Sequence, residues 1–115
     1  MTERDGKLLK KLAAYQRDLA SSMKEFRITS PNDLGKIHIM VRRGLVQTVG
    51  DMFELTVPMS SEVLEQLPLN QIIIKQFRNT ASHRYDRITN EFAYACLMHC
   101  VDKEFVSVIK SLTLL

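Results

Sequence analysis

Apolar residues recur every three or four positions along almost the whole chain, and this spacing limits the possible folds more than any other feature. The first such stripe consists of Leu8, Leu12, Tyr15, Leu19, Met23 and Phe26. Residues at this spacing lie on one face of an α-helix. No segment alternates between apolar and polar residues as a half-buried strand does. The sequence therefore predicts an all-α protein.

Capping residues and prolines divide this pattern into four main helices and one short helix. Ser30, followed by Pro31 and Asp33, is typical of a helix start, and Asn70 is a second N-cap. Short links favour antiparallel neighbours, so we expect an up-and-down antiparallel bundle. The expected helices span about 2–26, 31–55, 61–67, a segment starting at 71, and 89–112.

The length of 115 residues, of which 45% are apolar, supports a single helical domain over 1–115 with a real core. A domain this small gains stability by pairing with a second copy. The longest apolar runs, such as 72–74, are too short to cross a membrane, and the N-terminus lacks a secretory pattern. Cys96 and Cys100 do not suggest a disulfide scaffold. We therefore expect a cytoplasmic protein that does not enter membranes.

The net charge of +3 and the pI of about 9.0 are compatible with a nucleic-acid partner but do not establish one. A more specific pattern begins near residue 74. Ile74 and Phe77 belong to an apolar helix face, whereas Asn79 and His83 are four positions apart on the other side. At that spacing the Asn79 amide can hydrogen-bond the imidazole and fix its orientation. Arg78 lies beside the apolar stripe, where a guanidinium needs an anion or another polar partner.

Arg78 and His83 are five positions apart, which is about 140° around an ideal helix. One straight helix does not direct both side chains at the same atom. Either the helix ends near Ser82, or a second subunit completes the site. Taken alone, such a histidine is more often a surface or capping residue than a catalyst, and such an arginine usually forms a salt bridge.

The order Arg78-Asn79-x-x-x-His83-x-Tyr85 resembles the R-N-x-x-x-H-x-Y signature of HEPN domains, specifically the HepT-like toxins that are paired with minimal nucleotidyltransferases. The helix over 40–51 also resembles the arginine-containing helix of that family, with Asp51 where glutamate is usual. Helix order and length extend the resemblance to nearly the whole chain.

The resemblance implies a metal-independent endoribonuclease toxin that leaves 2′,3′-cyclic phosphate ends. His83 would serve as general base or acid, Arg78 would bind the phosphate, and Asn79 would hold the histidine or the phosphate. The family pairs two such motifs across a homodimer. The resemblance further implies that a nucleotidyltransferase antitoxin adenylylates Tyr85, which would block the RNA site.

Basic residues next to the motif are candidate RNA contacts, although a merely solvated face explains them nearly as well. They are Lys75, Arg84 and Arg87, with Arg42 and Arg43 as further candidates for RNA contacts or salt bridges.

Cys96-x-x-His99-Cys100 has the spacing of three metal ligands, but a fourth ligand is not evident, and cysteine at such positions is more often part of a core. We therefore expect no metal and no other cofactor. Two alternatives to the nuclease stay open: a non-catalytic HEPN module that binds a nucleotide or serves as an accessory subunit of the transferase, and a plain helical interaction domain.

Overall fold

In this computed structural model, which describes residues 1–81 and 87–114, the described residues are mostly helical. Five of the helices have 11 or more residues, and no strand occurs in the described ranges. The all-α prediction is confirmed. The elements are α1 (Glu3–Glu25), a 3-10 turn (Pro31–Gly35), α2 (Ile39–Thr56), α3 (Ser61–Leu64), α4 (Gln71–Ala81), α5 (Asn90–Cys100) and α6 (Lys103–Thr113).

A capping box starts α1, close to the predicted boundary. The Thr2 side chain accepts a hydrogen bond from the Asp5 N–H, and the Asp5 carboxylate accepts one from the Thr2 N–H. Leu12, Leu19 and Met23 of the predicted stripe are buried, and the rest of the buried face is shifted towards Leu9 and Gln16, because α1 packs against both α2 and α6. The buried side chains of α1 are Asp5, Leu9, Leu12, Gln16, Leu19 and Met23.

The second predicted helix does not run unbroken from Ser30. A 3-10 turn forms first, because the Asp33 carboxylate accepts hydrogen bonds from the backbone and hydroxyl groups of Thr29 and Ser30 over 2.9 to 3.2 Å. Helix α2 then begins at Ile39, where the His38 Nδ1 accepts the Met40 N–H. The start signal at Ser30 was therefore correct for a helical turn and wrong for the start of the long helix.

The predicted helix over 89–112 is two helices. The Asp102 carboxylate caps α6 by accepting the Glu104 N–H. The buried Gln16 side chain donates to the Cys100 carbonyl over 2.9 Å, at the end of α5. Both contacts satisfy backbone groups that a helix end would leave without partners, so they stabilise the break.

The start of α4 is as predicted. The Asn70 side chain accepts the N–H groups of Ile72 and Ile73, each over 3.1 Å. Helix α3 is shorter than expected and ends at Leu64 rather than Leu67.

Buried apolar side chains from the six α-helices and the 3-10 turn of the described ranges belong to one core cluster. The Cα atoms extend over 41 × 29 × 19 Å, and the smallest dimension accommodates about two helices side by side. None of the described helices combines the length and apolar character that a membrane-spanning segment needs.

Candidate functional site

Helix α4 buries one face and exposes the side that carries the motif arginine. Ile74 and Phe77 are each 3% exposed, and the Phe77 ring packs edge-on against Phe53 of α2, with centroids 5.4 Å apart. This packing fixes the rotation of α4 about its axis. Arg78 and Asn79 are exposed as a result.

Arg78 has the polar partner that its position requires. Its Nε lies 3.4 Å from the Glu54 Oε1 of α2, and the two side chains are 44% and 67% exposed. An ion pair this exposed contributes about 0–1 kcal/mol, so a ligand anion can replace the carboxylate at little cost. The guanidinium is therefore held near α2 and remains accessible.

Lys75 precedes Arg78 by three positions and Asn79 by four, and all three are exposed. Side chains at these spacings are neighbours on a helix surface. Lys75, Arg78 and Asn79 thus form one polar face, which we name the α4 face. It can offer two cations and an amide to an anionic ligand.

Of four further residues predicted to act in or near the motif, the structure describes one. His83, Arg84 and Tyr85 lie outside the described residues, so the histidine's catalytic role, the Asn79–His83 hydrogen bond and the modification of the tyrosine stay predictions. Arg87 is exposed.

Arg42 is a positioning residue that sequence reasoning did not recognise as such. Its Nε donates to the Asn90 Oδ1 over 2.8 Å, and its Nη2 donates to the Ile88 carbonyl. These bonds fix the backbone at Ile88 and the first residue of α5 against α2. The sequence feature that could have indicated this role is an arginine flanked by the apolar stripe of α2. Its partner Asn90, however, is 48 positions away.

A groove of about 320 Å³ adjoins Glu54 between α1 and α2. It is lined by Leu8, Lys11, Tyr15, Asp51, Glu54, Leu55 and Pro58. Glu54 thus borders both this groove and Arg78, and it is a second functional candidate that the sequence pattern missed. No local signal pairs Glu54 with Arg78, because the pairing depends on how α2 packs against α4.

The two cysteines are part of the core. Burial raises the pKa of the Cys96 thiol to about 12 and raises that of Cys100 as well, so both stay protonated at neutral pH. The His99 Nε2 accepts the Asn70 N–H over 3.3 Å. Across the described ranges, no three His, Cys, Asp or Glu side chains converge as ligands for a metal ion.

Comparisons with protein-family models, with curated proteins and with solved structures find no match. The HEPN resemblance therefore rests on the sequence pattern alone.

Proposed function

We propose that this chain is a metal-independent endoribonuclease toxin of the HEPN type. The observation that carries the proposal is the order Arg78-Asn79-x-x-x-His83-x-Tyr85, which begins on the exposed face of α4. The accessible guanidinium of Arg78, held by a weak ion pair to Glu54, supports it. Lys75 on the α4 face adds a second cation for an RNA backbone.

The reaction needs a proton acceptor and a group that stabilises phosphate charge. A ribose 2′-hydroxyl attacks the adjacent phosphorus, and the bond from phosphorus to the 5′-oxygen of the next nucleotide breaks. His83 either takes the proton of the hydroxyl or donates a proton to the leaving oxygen, and water serves in the other role. The products are a 2′,3′-cyclic phosphate and a 5′-hydroxyl. Arg78 donates to the non-bridging oxygens, whose charge increases in the transition state, and Asn79 orients the imidazole or the phosphate.

The proposal includes an assembly and a means of control. The chain acts in the cytoplasm as a homodimer of up-and-down bundles, in which the two motifs complete a composite site. A cognate minimal nucleotidyltransferase is the antitoxin, and it attaches adenylate to Tyr85. The added phosphate would compete for Arg78 and exclude RNA by charge and by size.

The test is cleavage of RNA by the purified chain in EDTA, with analysis of the product ends. We expect cyclic-phosphate ends, and we expect both Arg78→Ala and His83→Ala to lower the rate by about a hundredfold or more. Arg4→Ala, an arginine exposed on α1, is the matched control and should cleave like the wild type.

The accessory-subunit alternative predicts the opposite result. If the wild-type chain does not cleave RNA while mass spectrometry shows Tyr85 unmodified, the nuclease proposal fails. A non-catalytic module that binds a nucleotide or the transferase then becomes the better account.

A further inference from the structure

Helices α1 and α6 pack against each other and leave a groove of about 370 Å³ along their junction. We name it the α1/α6 groove. Its lining residues are Ala13, Gln16, Arg17, Ala20, Val106, Ile109, Lys110 and Thr113. Ala13 and Ala20 contribute only methyl groups, and Val106 is 41% exposed beside them. The floor is therefore small and apolar, with room for the side chains of another element.

Cations follow the α1 side of this groove. Lys10, Arg17 and Lys24 are seven positions apart, which places them within about 40° of one another on the helix, on the same side as Ala13 and Ala20. All three cations are exposed. Asp18 and Glu25 lie on average about 90° away from this row, Asp5 is buried, and Glu3 continues the row seven positions before Lys10, at the start of the helix.

A second row of cations follows the α6 side. Lys103 and Lys110 are also seven positions apart and flank the exposed Val106 on one helix face. Among the described residues, no carboxylate lies within ion-pair distance of either lysine or of the three α1 cations. Charges without internal partners on both edges of an apolar groove are complementary to acidic groups on a ligand.

We infer that the α1/α6 groove docks an amphipathic helix of a partner protein. The helix would place its apolar stripe on the floor of the groove and its Asp or Glu residues against the two rows of cations. Such helix-in-groove binding uses anchors at helical spacing, which a straight groove between two helices accommodates.

Single-stranded RNA fits this surface less well. Sequence-tolerant binding of single strands relies on aromatic side chains that stack on bases, and none of the described residues that line the groove is aromatic. The inference does not depend on the proposed nuclease activity, because it uses neither the α4 face nor the motif.

The test uses three fluorescent helical peptides of about 18 residues, or five turns. All carry leucine at every third or fourth position. The flanking positions are Glu in the first peptide, Gln in the second and Lys in the third. Binding to the full chain is measured by fluorescence anisotropy. We expect the Glu peptide to bind about tenfold more tightly than the Gln peptide, and the Lys peptide to bind most weakly.

Two kinds of variant identify the surface. The double variant Arg17→Glu, Lys110→Glu should weaken binding of the Glu peptide about tenfold or more, whereas Arg4→Glu, Lys7→Glu makes the same charge change on another face of α1 and should not. Ala20→Tyr fills the groove without changing the charge, so it should also weaken binding, with Ala20→Ser as its control. All these positions are exposed, and circular dichroism verifies folding.

The inference is overturned if the Glu peptide does not bind at about 100 μM, a weak affinity by the standard of protein complexes. It is equally overturned if Ala20→Tyr does not weaken binding of the Glu peptide and both double variants weaken that binding to the same extent. Binding of a fluorescent oligouridine to the wild type and the variants is measured last. If the groove variants weaken RNA binding and leave peptide binding unchanged, the groove is a nucleic-acid surface instead.

Discussion

The Asp5 carboxylate joins two segments that are far apart in the chain. It accepts the Ser60 hydroxyl over 2.7 Å, the Ser60 N–H over 2.9 Å and the Thr2 N–H over 3.1 Å. The hydrogen bonds from Ser60 and Thr2 favour the charged form and hold the pKa of Asp5 well below its usual range, although burial acts in the opposite direction. One carboxylate therefore both caps α1 and fixes the segment that leads into α3.

Asp5→Asn should lower the free energy of unfolding at pH 7, since an amide accepts fewer of these bonds. Because the folded pKa of Asp5 is depressed, its contribution is complete above its unfolded pKa of about 3.9 and is lost as the pH falls below that value. The difference between wild type and variant should therefore shrink on acidification.

Urea denaturation at pH 7 and pH 3 measures this difference. Asp18→Asn, an exposed aspartate of α1, is the control and should leave the stability at pH 7 unchanged. A loss of stability that is the same at both pH values would contradict the account.

Glu54 competes with phosphate for Arg78 if the proposed function is correct. Glu54→Gln should then lower KM for RNA about two- to threefold, which is the equivalent of the roughly 0.5 kcal/mol that such an exposed ion pair contributes. Steady-state kinetics should show kcat unchanged, because the carboxylate does not touch the reacting atoms. Glu25→Gln, on the exposed side of α1, is the control. A fall in kcat without a fall in KM would show instead that Glu54 positions Arg78 for catalysis.

Local side-chain contacts were predictable from sequence, and distant ones were not. The Thr2–Asp5 and Asn70 caps have donor and acceptor within three positions, so residue type and spacing were sufficient. The partners of Arg42 and Gln16 are 48 and 84 positions away, and nothing in the local pattern indicates them. The same reason explains why Glu54 was missed.

At the scale of elements, the two helices that were predicted as unbroken and are not have one physical cause. The apolar spacing continues through Val101 and through the segment 31–38, so periodicity predicts unbroken helices there. Side chains end the helices instead, because they satisfy backbone groups that helix continuation would otherwise pair. Asp33 does this in the 3-10 turn, and Asp102 with Gln16 does it between α5 and α6.

Gln16→Ala should leave the Cys100 carbonyl buried without its side-chain donor. A buried polar group that loses its partner costs about 1–3 kcal/mol, so we expect the free energy of unfolding to fall by that amount. Urea denaturation measures it, and Ser21→Ala, exposed on the same helix, should change stability by less than about 0.5 kcal/mol. A Gln16→Ala variant as stable as this control would show that the break between α5 and α6 does not need the bond.

Of the candidate site, the sequence predicted the side of α4 that faces the core and the need of Arg78 for a polar partner. Both predictions follow from the rotation of a helix whose apolar residues are buried. The identity of that partner depends on the packing of α4 against α2. The catalytic part of the motif remains a prediction, because it rests on His83.

A chain of 115 residues buries a limited share of its surface, so polar contacts between helices add to the stability that the core supplies. His99 of α5 is a junction with several other elements. Its ring lies 6.2 Å from that of Phe53 in α2 and 5.6 Å from that of Phe105 in α6, and it accepts the N–H of Asn70, which caps α4. The accepting nitrogen must be unprotonated, so the neutral imidazole is the form that the fold stabilises.

Burial lowers the pKa of His99, and the nearby Asp102 carboxylate opposes this only in part. As the pH falls, His99 therefore binds a proton at a higher pH in the unfolded chain than in the folded chain. The stabilisation from His99 is complete above its unfolded pKa of about 6.5 and is lost as the pH falls from there through the lower folded value. Between pH 7 and pH 5 the wild type should lose stability, and α4 should loosen at its start, since protonation removes the acceptor for the Asn70 N–H.

His99→Gln tests this relation, because a glutamine oxygen can accept the same N–H but does not titrate. Urea denaturation from pH 7 to pH 5 should show a smaller loss of stability for the variant than for the wild type. His38→Gln is the control, since it removes an exposed histidine at the start of α2 and leaves the contact with α4 intact. If His99→Gln and wild type lose stability in parallel, the pH dependence comes from other groups. If the smaller loss appears only for His99→Gln, protonation of this one imidazole accounts for the pH dependence of the stability of the fold.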